Sequence, residues 1–169
     1  SSSVTGVQTC ALPISAARTN SKTAASSIIT IPVVVHVIHS GQAIGTAPNI
    51  TDAQVQSQIT VLNQDYRKML GTPGYNTNPV GADIEIEFVL AKVDPNGNPT
   101  NGIDRVNMCQ SSWYPEEIEA TVKPSTIWDP TQYLNMWTVN MNDDVLGYAQ
   151  FPDGSGLGGL DASGGDANT

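Results

Sequence analysis

One stretch limits what this chain can become more than any other. Ile28 to Ile38 reads IITIPVVVHVI, nearly all of it β-branched. Such side chains are stiff and suit a pleated surface. Apolar residues fill successive positions instead of alternating, so both faces of the strand need covering. The run therefore predicts a central strand buried between two layers. Pro32 has no N–H to give a ladder and is expected near the strand's start or at a bulge.

The segment NITDAQVQSQITVLNQDYRKML follows. Thr51 and Gln54 have the spacing of a capping box, with the hydroxyl at the N-cap and the amide three residues on. Asp52 suits the positive end of the helix dipole. Val55, Ile59, Leu62, Tyr66 and Met69 recur at steps of four and three, one face of an amphipathic helix. Arg67 and Lys68 fall in its last turn, and Gly71 and Pro73 stop it. Next, ADIEIEFVLAKV alternates, with Ile84, Ile86, Phe88 and Leu90 on one face and acidic residues opposite, the pattern of a half-wet strand. DPNGNPTNG is turn chemistry and GIDRV a short strand. Asn107 to Thr126 has no clear period. Its Trp113-Tyr114-Pro115 suggests an ordered loop, and PEEIEATV a single helical turn. Leu134 to Met141 and Leu146 to Phe151 read as two further strands, close enough for a hairpin. The order predicts an α/β (α+β) fold, a mixed twisted β-sheet with a backing helix.

The front of the chain is different. Val4 to Ile14, VTGVQTCALPI, back-translates to the adapter oligonucleotide ligated to fragments before short-read sequencing. It has neither the positive region nor the long apolar core of a signal peptide. Residues 1–27 are accordingly expected to be an adapter-derived and linker segment, disordered, with the domain running over 28–169. A gene fragment cut at one end is expected to be cut at the other as well.

Composition removes several functions. Seven basic residues face sixteen acidic ones, for a net charge of −9. That balance cannot replace the counterions of a nucleic acid. No apolar run approaches the ~20 residues of a membrane-spanning helix. Charged residues make up only 14% of the chain, and neutral polar residues fill the gap, a composition common in secreted proteins. No Lys or Arg follows Lys123, while Asp129, Asp143, Asp144, Asp153, Asp161 and Asp166 accumulate; these are solvated loop carboxylates or, less simply, a place for Ca²⁺. With Cys10 set aside as adapter, Cys109 stands alone, either a small buried hydrophobe or one half of a disulfide whose partner lies elsewhere.

The candidate chemistry is sparse. His36 and His39 would share a face on a helix, but on a strand they point to opposite sides. A catalytic zinc needs three protein ligands and an open position. His36 thus reads as a core or supporting histidine and His39 as a strand-end residue. Glu116 and Glu117 read as a solvated turn. The glycine-rich stretch after Asp153 lacks a phosphate-loop lysine and the EF-hand spacing. On these residues alone the catalytic and metal-ligand sets are both empty.

Taken together, IPVVVHVIH, ITDAQVQSQITVLNQDYR, IEFVLAKVDPNGNPTNGIDR, WDPTQYLNMWTVNM and LGYAQFP resemble, in this order, the pappalysin-like zinc metallopeptidases of the metzincin group, in their secreted bacterial, ulilysin- and mirolysin-like branch. The resemblance runs from about Ile28 to Asp166. It implies a secreted zinc metalloendopeptidase that hydrolyses peptide bonds with a zinc-activated water. The family signature is H-E-x-x-H-x-x-G-x-x-H with a Met-turn; its histidines bind Zn²⁺ and its glutamate is the general base. The sequence holds no such motif, so no zinc ligand or catalytic residue carries over, nor any calcium site. The expectation is an incomplete N-terminal subdomain of a zincin-type peptidase, inactive alone. The resemblance also implies an edge strand that takes a peptide or protein substrate, here Leu146, Gly147, Tyr148, Ala149 and Gln150. The rival expectation is a secreted β-rich adhesin or glycan-binding module, with Trp113, Trp128 and Trp137 as a stacking surface.

Overall fold

The structure, a computed structural model, describes residues 27–142 and 145–149. The β-branched run forms β1 (Ile29–His39), and three strands pair with it: β2 (Ile86–Leu90), β3 (Ile103–Asn107) and β4 (Leu134–Thr138). All three pairings are parallel, which agrees with a strand buried on both faces. The register is Val33 with Leu90, Val35 with Ile103 and Val35 with Met136. The Ala91 N–H donates to Val33 O at 2.8 Å and the Val35 N–H to Gly102 O at 2.9 Å. In a parallel ladder one residue sends both its backbone groups to the same neighbour. The odd positions of β1 therefore meet β2 and then β3 along one edge, and the even positions meet β4 along the other. Pro32 is an even position, and the β4 ladder begins only at Val33, so its missing donor removes no bond.

Between β2 and β3 the chain leaves the sheet at Ala91 and returns at Gly102. Gly102 has φ of +75°, and a Cβ there would lie 2.6 Å from the Ala91 N. Only glycine lets the two ends of this excursion close on each other. Asp94 ties its tip by accepting from the N–H groups of Asn96 and Asn98 at 2.9 and 2.8 Å.

The expected capping box starts α1 (Asp52–Tyr66). Thr51 Oγ1 accepts from the Gln54 N–H at 3.2 Å, and the Thr51 N–H donates to Gln54 Oε1 at 2.9 Å. Val55 and Ile59 are buried against Val33, Val35, Val37, Phe88 and Leu90. The helix ends earlier than its periodicity implies. Arg67 is the C-cap, Lys68 turns to φ of +46°, and Met69 is exposed. Arg67 instead bridges Asp83 and Glu87, fastening the helix end to β2.

The opposite face of β1 is covered by a stretch whose sequence suggested only one turn. Residues 115–126 form a helical segment: α2 (Pro115–Glu117), a π-helical turn (Ile118–Val122) and α3 (Lys123–Thr126). A proline inside an α-helix clashes with the carbonyl four residues back and cannot donate to it. Widening the turn before Pro124 relieves that conflict, and the Lys123 N–H donates to Ile118 O, five residues back. Ile118 and Val122 pack with Ile38 and Trp113 in a second core cluster. The fold class is thus α/β as expected, with a helical layer on each face of the sheet. The expected final strand makes no ladder over 146–149, and Gln150 and Phe151 lie outside the described residues.

Candidate functional site

The two faces of β1 carry different chemistry. Val33, Val35 and Val37 look toward α1. Val34, His36 and Ile38 look the other way, and His36 is fully buried. Its Nδ1 lies 2.8 Å from Asp104 Oδ2 on β3, and its Nε2 lies 2.9 Å from Asn135 Oδ1 on β4. The orientation of Asn135 is fixed by Trp128: Oδ1 accepts the Trp128 N–H at 2.9 Å, while Nδ2 donates to Trp128 O at 2.9 Å. Flipping the amide would set like groups against each other on both sides. Both ring nitrogens therefore face acceptors, a carboxylate and an amide oxygen.

The ring also stacks on Trp137, with centroids 5.2 Å apart, and meets Trp128 edge-on at 6.1 Å. Trp137 donates from Nε1 to Thr126 Oγ1 at 2.9 Å. The Lys123 ammonium sits 5.5 Å from the Trp137 ring and 5.0 Å from the Tyr148 ring. It pairs with Glu119 Oε1 at 2.5 Å, and the same oxygen accepts the Tyr148 hydroxyl at 2.6 Å. Burial pushes the Tyr148 phenol well above its ordinary range, and the Glu119 carboxylate adds to the shift. One connected path thus runs from Asp104 through the buried histidine to Tyr148.

Tyr148 belongs to the segment expected to receive substrate. A cleft of about 560 Å³ lies between this segment and β4, lined by Met136, Trp137, Thr138, Leu146, Tyr148 and Lys123 among others. Leu146 is fully exposed, and nothing lies within 4 Å of where a Gly147 Cβ would stand. Ala149 is exposed as well, and Gln150 lies outside the described residues. Among the described residues, the backbone of 146–149 makes no hydrogen bond.

His39 closes the end of β1, its Nδ1 accepting from the Gly41 N–H at 3.0 Å. Among the described residues, no three His, Cys, Asp or Glu side chains come together as a metal site. Both His36 nitrogens are already engaged by Asp104 and Asn135, so the residues present do not fit a zinc ion. Glu116 is exposed, and Glu117 Oε2 accepts the Tyr114 N–H at 2.9 Å, closing a turn. Asp129 accepts from Thr131 and Gln132 and so shapes the turn before β4, and Asp143, Asp144, Asp153, Asp161 and Asp166 lie outside the described residues. Cys109 is exposed and free. All three tryptophans are packed, Trp113 fully and Trp128 and Trp137 half-buried around His36, and none forms an open stacking surface. Sequence reasoning missed Asp104, Asn135, Glu119 and Lys123. The one available signal was Glu119 four residues before Lys123, a helical ion-pair spacing inside a stretch without other period.

The α/β fold, a parallel sheet covered by helices, has the architecture of a zincin-type peptidase by its match to solved structures. The fold matches solved structures of mirolysin. Mature mirolysin of Tannerella forsythia, in complex with a cleaved peptide, is 41% identical, with a TM-score of 0.62 over 74% of this chain and 47% of that one. A variant of promirolysin from the same organism is 42% identical, with a TM-score of 0.63 over 75% and 42%. Mirolysin in complex with compound 9 gives 40% identity and 0.62 over 74% and 47%. No family model and no curated protein matches the chain. The chain is a mirolysin-like member of the pappalysin-like metallopeptidases and spans about half the length of these relatives. No helix among the described residues is long and apolar enough to cross a membrane.

Proposed function

We propose that the chain is the N-terminal portion of a secreted, zinc-dependent metalloendopeptidase. In this reading it supplies the sheet, the two covering helical layers and the substrate-binding segment Leu146–Gln150. The zinc ligands and the general base belong to residues beyond this sequence, and the chain alone is inactive. The observation that carries the reading is the 41% identity to a mirolysin in complex with a cleaved peptide, over 74% of this chain, beside a backbone at 146–149 that is exposed but for Tyr148 and makes no hydrogen bond among the described residues. Such a backbone offers N–H and C=O groups to an extended peptide, and Gly147 leaves room for a second main chain to approach. The acidic surface and low charge content agree with secretion.

Metal analysis and a casein-cleavage assay of the purified 169-residue chain test the proposal. It expects neither stoichiometric zinc nor cleavage. Tight equimolar zinc would contradict it. The gene's continuation past Thr169 is the second test: an H-E-x-x-H-x-x-G-x-x-H motif is expected there, whereas a stop codon or repeated β-modules would overturn the reading.

A further inference from the structure

We propose that Glu119 and Lys123 are positioning residues that tether Tyr148 and so fix the backbone of 146–149 for an extended peptide. The inference rests on the reading of Leu146–Gln150 as the peptide-binding edge, and it adds the residues that hold that edge in place.

Leu146, Gly147 and Ala149 are exposed, and 146–149 has no backbone hydrogen bond to other described residues. Among the described residues, the segment is held by the side chain of Tyr148. Its hydroxyl donates to Glu119 Oε1 at 2.6 Å, and its ring lies 5.0 Å from the Lys123 ammonium. A hydrogen bond to a carboxylate is roughly twice as strong as a neutral one, and the aromatic face attracts the cation. Lys123 is itself held on both sides, by Trp137 at 5.5 Å and by Glu119 at 2.5 Å. The tether therefore ends on the sheet, not on another loop. Both anchors come from the helical stretch around Pro124, Glu119 from its π turn and Lys123 from the start of α3. Burial and the Glu119 carboxylate raise the Tyr148 phenol above its ordinary range, and this gives the tether a spectroscopic signature. With the Tyr148 side chain turned inward, the backbone of Leu146, Gly147 and Ala149 stays exposed and unbonded among the described residues, where another chain can reach it.

The test uses the 169-residue chain and its Tyr148→Phe and Glu119→Gln variants. Three measurements are made: backbone nitrogen-15 relaxation, ultraviolet titration of tyrosine, and fluorescence anisotropy with a fluorescein-labelled casein peptide. In Tyr148→Phe, loss of one charge-assisted hydrogen bond should lower the backbone order parameters of 146–149 to below about 0.6 and weaken peptide binding several-fold. Order parameters in β1 and α1 should stay unchanged, which a general loss of stability would not allow. Glu119→Gln should lower the pH at which the Tyr148 phenol ionises. Equal order parameters at 146–149 and equal peptide affinity in all three chains would overturn the proposal. Absence of binding by the unaltered chain, with order parameters still high at 146–149, would sink the peptide-edge reading and with it the positioning role, while leaving the tether itself standing.

Discussion

The two faces of β1 are built on opposite plans. Toward α1, Val33, Val35 and Val37 meet Val55, Ile59, Phe88 and Leu90, an apolar cluster, beside which Asn63 bonds the Phe88 backbone and Arg105 bonds Asn49. Toward the 115–126 segment, the central residue is a histidine with Asp104, Asn135 and two tryptophans around it. The first face holds by area removed from water, a quantity that adds up contact by contact. The second holds by a set of partners, each of which fixes the next, so loss of one strands another. The apolar face is a foundation. The polar face connects the sheet's interior to the segment proposed to take a peptide.

Substitutions should separate the two plans. Ile59→Ala on the apolar face should cost about 2–5 kcal/mol in urea unfolding, and Ile59→Val about 0.5–1.5 kcal/mol, a graded series that follows volume. His36→Leu should cost about 2–4 kcal/mol although it keeps an apolar side chain of useful size, because Asp104 and Asn135 lose their donor. If His36→Leu were neutral, the histidine would be filler and the contrast between the faces would fail. A double-mutant cycle sharpens the point. His36→Leu combined with Asn135→Leu should depart from additivity by about 1–2 kcal/mol, whereas Ile59→Val combined with the distant Asn135→Leu should add. Thr51→Ala, which removes the cap of the helix over the apolar face, should cost about 1 kcal/mol.

The smallest expected effect is at the entry to β4. The Asp129 carboxyl is held below its ordinary value, first by the Thr131 hydroxyl and then by the Thr131 N–H and the Gln132 amide. A depressed folded-state value contributes stability above the unfolded value, near pH 4, and the contribution is lost as the pH falls through the folded value. Asp129→Asn should therefore lower the melting temperature slightly at neutral pH, and the gap should close on acidification. A gap that widened in acid would contradict this sign.

The sequence made the apolar face legible and the polar face opaque, for physical reasons. β-Branched runs, a capping box at Thr51 and Gln54, and the alternation through Ile86, Phe88 and Leu90 are local signals. They report on burial that any partner layer would satisfy. His36 was recognisable as a supporting residue because strand alternation parts it from His39. Its partners were not, since Asp104 and Asn135 lie 68 and 99 positions away and carry no pattern of their own. Only a single turn of the 115–126 helix was legible, because Pro124 interrupts it and a π turn breaks its 3.6-residue period. Leu146–Gln150 came from family resemblance alone; the local sequence GYAQ reads equally well as packing or as a binding edge. The final strand expected there is absent over 146–149, where a side-chain tether and not a ladder does the holding.

The central claim is that His36 is a structural ring with both nitrogens committed inside the protein, and not a metal ligand. Nitrogen-15 NMR of the histidine rings in the folded chain tests it most directly. The account predicts that both His36 nitrogen signals stay unmoved by equimolar Zn²⁺. A His36 nitrogen whose signal shifts when zinc is added would contradict it.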